Sequence, residues 1–261
     1  ASVTVNVSPL PNITFNPPNP GVCLGDEAII TASGAQFYIW SNNTFSNPFI
    51  IKPDSTTTYS VTGTDASGLC TSTAEVIVTV LDAPTTNFSA LLKQGCIPLS
   101  IQFADSSLNA VSWFWNFGNN QTSTSQNPNH SFQDEGTYTV TLITTSPSGC
   151  KDTMTIIDLI QAYPQPIGDF TFTPEWGKIY NPNITFYSNS ISQYWLWDWG
   201  DNTFSTSEPP ILHNFPSIEG AYQVTLTLSN DYGCIDSITK TILIIDDLLE
   251  LPNIITPNND G

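Results

Sequence analysis

Trp113-Phe114-Trp115-Asn116-Phe117-Gly118-Asn119-Asn120 is followed by Pro128-Asn129-His130, by Gly136-Thr137-Tyr138-Thr139-Val140-Thr141-Leu142 and by Gly149-Cys150-Lys151-Asp152. About 84 positions later the same order returns: Trp195-Leu196-Trp197-Asp198-Trp199-Gly200-Asp201-Asn202, His213, Gly220-Ala221-Tyr222-Gln223-Val224-Thr225-Leu226, Gly233-Cys234-Ile235-Asp236. A fixed internal period marks a repeated structural unit, so the chain reads as tandem modules rather than one merged core. Around the repeat, alternating β-branched segments such as Val76-Ile77-Val78-Thr79-Val80 and Gln223-Val224-Thr225-Leu226-Thr227-Leu228 are bounded by Gly, Pro, Asn and Asp. That period of two predicts half-buried strands, and many short strands at regular spacing predict β-sandwiches. The expected fold is all-β, with the sandwiches joined into a semi-rigid rod by short proline-containing linkers, Ala83-Pro84 and Tyr163-Pro164-Gln165-Pro166.

The module boundaries follow from the repeat. Residues 9–82 form a first module, 83–162 a second and 163–247 a third. Ala1-Ser2-Val3-Thr4-Val5-Asn6-Val7-Ser8-Pro9-Leu10-Pro11 is similar to Ala74–Pro84, the stretch that closes module one. Two readings of residues 1–8 stand: the last strand of a preceding module, or the first strand of module one. The start is not a signal peptide, and the chain reads as a piece of something larger.

Charge excludes whole classes of partner. The 261 residues carry a formal net charge of −18, with five lysines (Lys52, Lys93, Lys151, Lys178, Lys240) and no arginine. Nucleic-acid binding needs clustered cations to displace counterions from phosphates, and anionic lipid needs a basic patch. Neither is available, and no apolar run reaches membrane-spanning length.

Of the five cysteines, Cys23 and Cys70 bracket module one, and Cys96 and Cys150 bracket module two. Each bracketing pair joins an early strand to a late one, so an inter-sheet bridge within each module is expected; such a bridge would add roughly 3–4 kcal/mol. The competing reading makes all five small buried hydrophobes. Disulfides imply an oxidising, exported location. Module three offers Ile179 where module two has Cys96, which leaves Cys234 either a buried thiol or bonded outside the chain. Trp40, between Cys23 and Cys70, suggests an immunoglobulin-like sandwich with the indole packed on the bridge. Tyr59 either ties down a corner through its hydroxyl or is a plain core residue. Without Cys-x-x-Cys or a Cys/His cluster, zinc is not expected.

Modules two and three resemble the polycystic kidney disease (PKD) domain family. Its hallmark Trp-Asp-Phe-Gly-Asp-Gly is met by Trp115–Asn120 and Trp197–Asn202. Its Asn-Pro-x-His is met by Asn127–His130 and reduced to His213 in module three, and its Gly-x-Tyr-x-Val-x-Leu is met by both copies. Asn stands for Asp at Asn116 and Asn119, and neither turn ends in Gly. Module one is similar to the Thr-rich immunoglobulin-like repeats of Bacteroidetes surface proteins, through Ile51-Lys52-Pro53 and Thr57-Thr58-Tyr59-Ser60-Val61. Residues 248–261 read as a linker and the start of a further domain. There, Leu251–Gly261 resembles the opening of the gliding-motility-associated C-terminal domain, a sorting signal of the type IX secretion system. Ile255 stands there for Phe and Asn259 for Gly.

These resemblances imply a non-catalytic stalk of a large exported cell-surface protein, a gliding-associated adhesin. It would be handled by the type IX machinery through the downstream sorting domain and displayed at the outer-membrane surface, facing surface glycans or other proteins. The alternative is a carbohydrate-binding accessory region of a secreted polysaccharide-degrading enzyme. For that reading, Trp113/Trp115 and Trp195/Trp197/Trp199 are divided into an inward and an outward set. Trp113 and Trp195 then either stack on sugar rings or cover an edge of the core. A third reading is a hydrolase built on His213. The only histidines, His130 and His213, occupy matching repeat positions, which favours a structural role over a dyad, and no Gly-x-Ser-x-Gly occurs. No cofactor is expected. Some PKD domains bind calcium, and Asp198 and Asp201 flank Gly200 in a turn that could supply carboxylate oxygens. The other expectation is that Asx side chains here satisfy turn amides. Asp54-Ser55-Thr56, Asp152-Thr153-Met154 and Asp236-Ser237-Ile238 resemble the Bacteroidetes O-glycosylation signal, making Ser55, Thr153 and Ser237 candidate attachment sites.

Overall fold

A computed structural model describes residues 9–246, and among these every regular element is a strand. The expectations placed on residues 1–8 and 248–261 lie outside the described residues. Threonine, valine and isoleucine fill the long strands because branched side chains suit a pleated, half-buried surface.

The first group of strands is β1 (Thr14–Asn16), β2 (Gly21–Cys23), β3 (Ala28–Ser33), β4 (Phe37–Trp40), β5 (Phe49–Ile51), β6 (Thr57–Thr64) and β7 (Thr71–Leu81). They make one sheet ordered β1-β3-β5 and another ordered β2-β7-β6-β4. The second group is β8 (Phe88–Ala90), β9 (Gln94–Cys96), β10 (Leu99–Asp105), β11 (Ser112–Asn116), β12 (Thr122–Ser123), β13 (Asn129–Phe132), β14 (Gly136–Thr145) and β15 (Lys151–Tyr163), in sheets β13-β10-β8 and β12-β11-β14-β15-β9. The third is β16 (Thr171–Thr173), β17 (Trp176–Lys178), β18 (Asn183–Tyr187), β19 (Tyr194–Asp198), β20 (Phe204–Ser205), β21 (Ile211–Asn214), β22 (Gly220–Ser229) and β23 (Ile235–Ile245), in sheets β16-β18-β21 and β17-β23-β22-β19-β20. Each group is thus one three-stranded sheet facing a larger one, and the chain is a tandem of β-sandwiches.

The chain divides into two compact units, one drawing on residues 9–91, 102–128 and 139–157, the other on 92–101, 129–138 and 158–246. In the first unit, Trp40 is 1% exposed and stacks on Phe49, with ring centroids 4.2 Å apart. The expected packing of Trp40 on a disulfide is therefore replaced by packing on an aromatic ring. Tyr59 meets Phe49 edge to face as part of the same core. In the same unit Trp115 is closed over by Phe88, Phe103 and Phe117. In the second unit Phe170, Phe186, Trp197, Trp199 and Phe215 form the corresponding cluster. Burying such large rings dominates the energetics, at roughly 3–5 kcal/mol lost for each Phe or Trp cut to Ala.

Two local devices recur. Tyr138 donates its hydroxyl to the Asp134 carbonyl at 2.8 Å, and Tyr222 donates to the Ile218 carbonyl at 3.4 Å, each four residues upstream. These ties pin the corner that leads into β14 and β22. The hallmark glycines, Gly118 and Gly200, have φ of 82° and 74°. A Cβ there would lie 2.5 Å from the Thr139 carbonyl oxygen and 2.6 Å from that of Gln223, so neither conformation nor space admits a side chain.

Candidate functional site

The two disulfides are the feature with the strongest functional consequence, and their geometry starts from a short parallel arm. β2 runs parallel to the end of β7, placing Cys23 opposite Leu81. β9 runs parallel to the end of β15, placing Cys96 opposite Tyr163. Each arm cysteine therefore sits where the chain leaves its sandwich. Cys70 and Cys150 precede the first residues of β7 and β15, at the other end of strands 11 and 13 residues long. At ~3.3 Å per residue the expected partners are separated by roughly 35–45 Å. A disulfide needs Cα atoms within ~7 Å.

The pairings Cys23–Cys70 and Cys96–Cys150 are accordingly corrected. Cys23 bonds to Cys150 and Cys96 bonds to Cys234, both with Cα atoms 5.6 Å apart. Cys234 is thus not a lone thiol, and Cys70 belongs to neither bridge. Each bond joins one sandwich to the next. In module three, Lys178 takes the arm position that Cys23 and Cys96 hold, opposite Ile245, one residue from the Ile179 read in the sequence. By the loop-closure argument, sequence separations of 127 and 138 make each bridge worth about 5 kcal/mol, more than a bridge confined to one module.

Side chains beside the bridges fasten the linkers as well. In the first unit, Ser148 Oγ donates to the Asp82 carbonyl at 2.8 Å and Asp152 Oδ2 accepts from the Thr86 amide at 2.7 Å. In the second, Asn230 Nδ2 donates to the Pro164 carbonyl at 2.8 Å and Asp236 Oδ2 accepts from the Gly168 amide at 2.7 Å. Tyr163 and Tyr232 stack with ring centroids 4.2 Å apart. The Thr86 amide holds the Asp152 carboxyl below its ordinary pKa. Repetition of Asp152 and Asp236 thus has a structural cause, the capping of an incoming backbone amide. Ser55, Thr153 and Ser237, the candidate sugar-attachment residues, are all exposed.

The hallmark turns use their Asx oxygens on backbone. Asn116 Oδ1 accepts from the Gly118 amide at 2.9 Å and Asp198 Oδ1 from the Gly200 amide at 3.0 Å. Asn120 and Asn202 close the turns at φ 63° and 70°, the left-handed role that Gly fills in the family hallmark. Asp201 differs. Its side chain is 4% exposed, its Oδ1 accepts from the Thr203 amide and hydroxyl, and its Oδ2 lies 2.8 Å from His213 Nε2. Burial pushes the Asp201 pKa up, but hydrogen bonds from Thr203 and His213 outweigh it and hold the value below normal. His213 lies flat on Trp199, with centroids 4.4 Å apart, and edge-on to Phe215. His130 meets Phe132 edge-on, and burial lowers its pKa.

These contacts bear on the chemical readings. Among the described residues no group of three or more His, Cys, Asp or Glu side chains is placed to hold a metal ion. Asp198 and Asp201, the carboxylates considered for calcium, are engaged by their own turn and by His213. The division of the tryptophans is corrected too. Residues two apart share a face of a strand, so Trp113 and Trp115 both turn inward, as do Trp195 and Trp197. Phe114 and Leu196 are the exposed positions, at 44% and 45%. Trp113 is half-buried and donates its indole N–H to Asp105 Oδ2 at 2.7 Å, while Trp195 packs against the third core. No spacing within one copy links His213 to the carboxylate of Asp201. The paired change of Phe117 to Trp199 and Asn119 to Asp201 between copies was the available signal.

Comparison with known proteins places a family on part of the chain. The model of the PKD domain matches residues 82–161. Residues 82–161 are a PKD domain. The curated pre-pro-metalloprotease PrtV of Vibrio cholerae is 32% identical over 139 residues, covering 52% of this chain and 15% of PrtV. The chain therefore spans a small fraction of that relative's length, and the part it matches is PKD sequence rather than the protease. The solved PKD1 domain of the same V. cholerae metalloprotease is 33% identical, covering 31% of this chain and 99% of that one, with a TM-score of 0.28. A Ca2+-stabilised adhesin by which an Antarctic bacterium binds ice is 9% identical over 92% of this chain and 75% of its own, with a TM-score of 0.39.

Proposed function

We propose that this chain is a non-catalytic spacer from a large exported cell-surface protein, in which covalently linked sandwiches hold a distal region away from the cell. The observation that carries this reading is the bridge pattern. Both disulfides connect successive sandwiches, so they stiffen the joints rather than the modules. A bond inside a module would serve folding alone; a bond across a joint restricts how one module swings on the next. Disulfides persist in oxidising compartments, which supports an extracellular location, and no helix among the described residues is long and apolar enough to cross a membrane. The PKD domain and the matching part of PrtV supply no catalytic machinery. The finer reading rests on the sequence of Leu251–Gly261: export by the type IX machinery through a downstream sorting domain, display at the outer-membrane surface, and service in a gliding-associated adhesin. The inward placement of Trp113 and Trp195 gives the carbohydrate-binding alternative no exposed platform at those residues.

Small-angle X-ray scattering of the oxidised chain tests the spacer reading. A compact particle of this length has a radius of gyration of roughly 18 Å. Three sandwiches end to end, each roughly 40 Å long by its strands, give on the order of 35 Å. A value near the compact figure overturns the proposal.

A further inference from the structure

The turn that presents each receiving cysteine is built three times, in module one with one extra residue, Leu69, between the glycine and the cysteine. Ser146 N–H donates to the Cys150 carbonyl at 2.8 Å and Gly149 N–H to the Ser146 carbonyl at 3.0 Å. Asn230 N–H donates to the Cys234 carbonyl at 3.2 Å and Gly233 N–H to the Asn230 carbonyl at 3.0 Å. In module one, Asp65 N–H donates to the Cys70 carbonyl at 3.0 Å and Gly68 N–H to the Asp65 carbonyl at 3.1 Å. Gly68, Gly149 and Gly233 share a positive φ of 75°, 91° and 79°. In two of the three turns the opening side chain also acts alike, since Asp65 Oδ1 and Asn230 Oδ1 each accept from the cysteine amide, at 3.2 and 3.0 Å, whereas the Ser146 hydroxyl pairs with that of Ser148. All three cysteines immediately precede the closing strand of their sandwich, β7, β15 or β23. The second and third each bond to an arm cysteine of the sandwich before.

We infer that Cys70 is the receiving half of a third bridge, bonded to a cysteine on the short parallel arm of a sandwich that precedes residue 1 in the same polypeptide. The inference rests on the matching position and on the partners that position takes, not on the spacer reading. Separations of 127 and 138 place the donor about 130 residues before Cys70. Its local sequence should resemble Gly21-Val22-Cys23 or Gln94-Gly95-Cys96, a cysteine at the end of a three-residue strand. The chemistry balances as thiol–disulfide exchange. The thiolate of one cysteine attacks a disulfide-bearing oxidoreductase, forming a mixed disulfide and releasing one of its thiols. The second cysteine's thiolate then displaces the oxidoreductase, which leaves as a dithiol carrying the two electrons. Cys150 and Cys234 are 0% and 1% exposed in their bridges, whereas Cys70 is half-buried.

The test is disulfide mapping of the native, full-length protein, purified without reductant, blocked with N-ethylmaleimide and digested without reduction. The expected result is a Cys70 peptide joined to a peptide from about 130 residues upstream. A Cys70 peptide carrying the maleimide, joined to glutathione, or joined to Cys70 of a second copy overturns the inference, as does an upstream region with no cysteine at that spacing. The same digest reports Cys23–Cys150 and Cys96–Cys234 separately, so failure here is distinguishable from failure of the spacer reading.

Discussion

Pulling the chain from its two ends gives a length that depends on the cysteine pairing alone. With both bridges intact the shortest covalent route runs from the N-terminus to Cys23, crosses to Cys150, returns along the backbone to Cys96, crosses to Cys234 and continues to the C-terminus. That route is ~100 residue steps, or roughly 350 Å when fully extended. Reduction opens all ~260 steps, roughly 900 Å. The pairing expected from sequence, Cys23–Cys70 with Cys96–Cys150, would leave ~160 steps, roughly 550 Å. Optical tweezers with handles on both termini, run first oxidised and then with a phosphine reductant, separate the three cases. The expected ceiling without reductant is near 350 Å. A ceiling near 550 Å refutes the joint-crossing pairing, and a trace that reductant does not lengthen refutes the presence of bridges.

Two side-chain predictions follow from differences between the repeats. Trp115 Nε1 donates to the Ser125 carbonyl at 2.8 Å, whereas Trp197 Nε1 is the buried side-chain polar atom among the described residues with no partner. Trp115→Phe should therefore cost about 1–3 kcal/mol more than Trp197→Phe in thermal or urea unfolding, because the first gives up a hydrogen bond whereas the second relieves a buried N–H that has no partner; equal costs would show that the indole bond contributes nothing. Asp201 has a folded pKa below its unfolded value near 4, so the stability it adds is present above that pH and is lost as pH falls through the folded value. Wild type should exceed Asp201→Asn by about 1–2 kcal/mol at pH 7, with the gap in Tm closing below pH ~4. Comparing the two chains cancels the acid-relieved self-repulsion of a net charge of −18, and a gap unchanged from pH 7 to pH 2.5 refutes the assignment.

Much of the architecture was legible because repetition and alternation are local signals. Val140 and Leu142, or Val224 and Leu226, are fully buried as their period of two requires. The hallmark turns carried their own reason, since Asn116 and Asp198 satisfy the amides two residues on. The disulfide partners were misread because bracketing says which cysteines share a module, not which end of it they occupy. The length of the closing strand is readable in Lys151–Tyr163, but only the register that sets Cys96 opposite Tyr163, at its far end, forbids Cys96 from reaching Cys150. The division of the tryptophans into two opposed sets fails for a simpler reason, that a strand places residues two apart on one face; the half-buried Trp113 and Trp195 fit the edge-covering alternative instead. The His213–Asp201 pair required a contact between β21 and the turn after β19, which no spacing within one copy reveals.

The staggered bonds have a consequence for a molecule exposed to foreign proteases. Because the Cys23–Cys150 and Cys96–Cys234 loops interlock, one backbone cut anywhere between Cys23 and Cys234 leaves both termini on the same molecule. Severing both proline-containing linkers at once, near Pro84 and Pro164, still leaves three fragments held together by two sulfur bonds. Digestion that looks complete on a reducing gel would leave the intact particle on a non-reducing one.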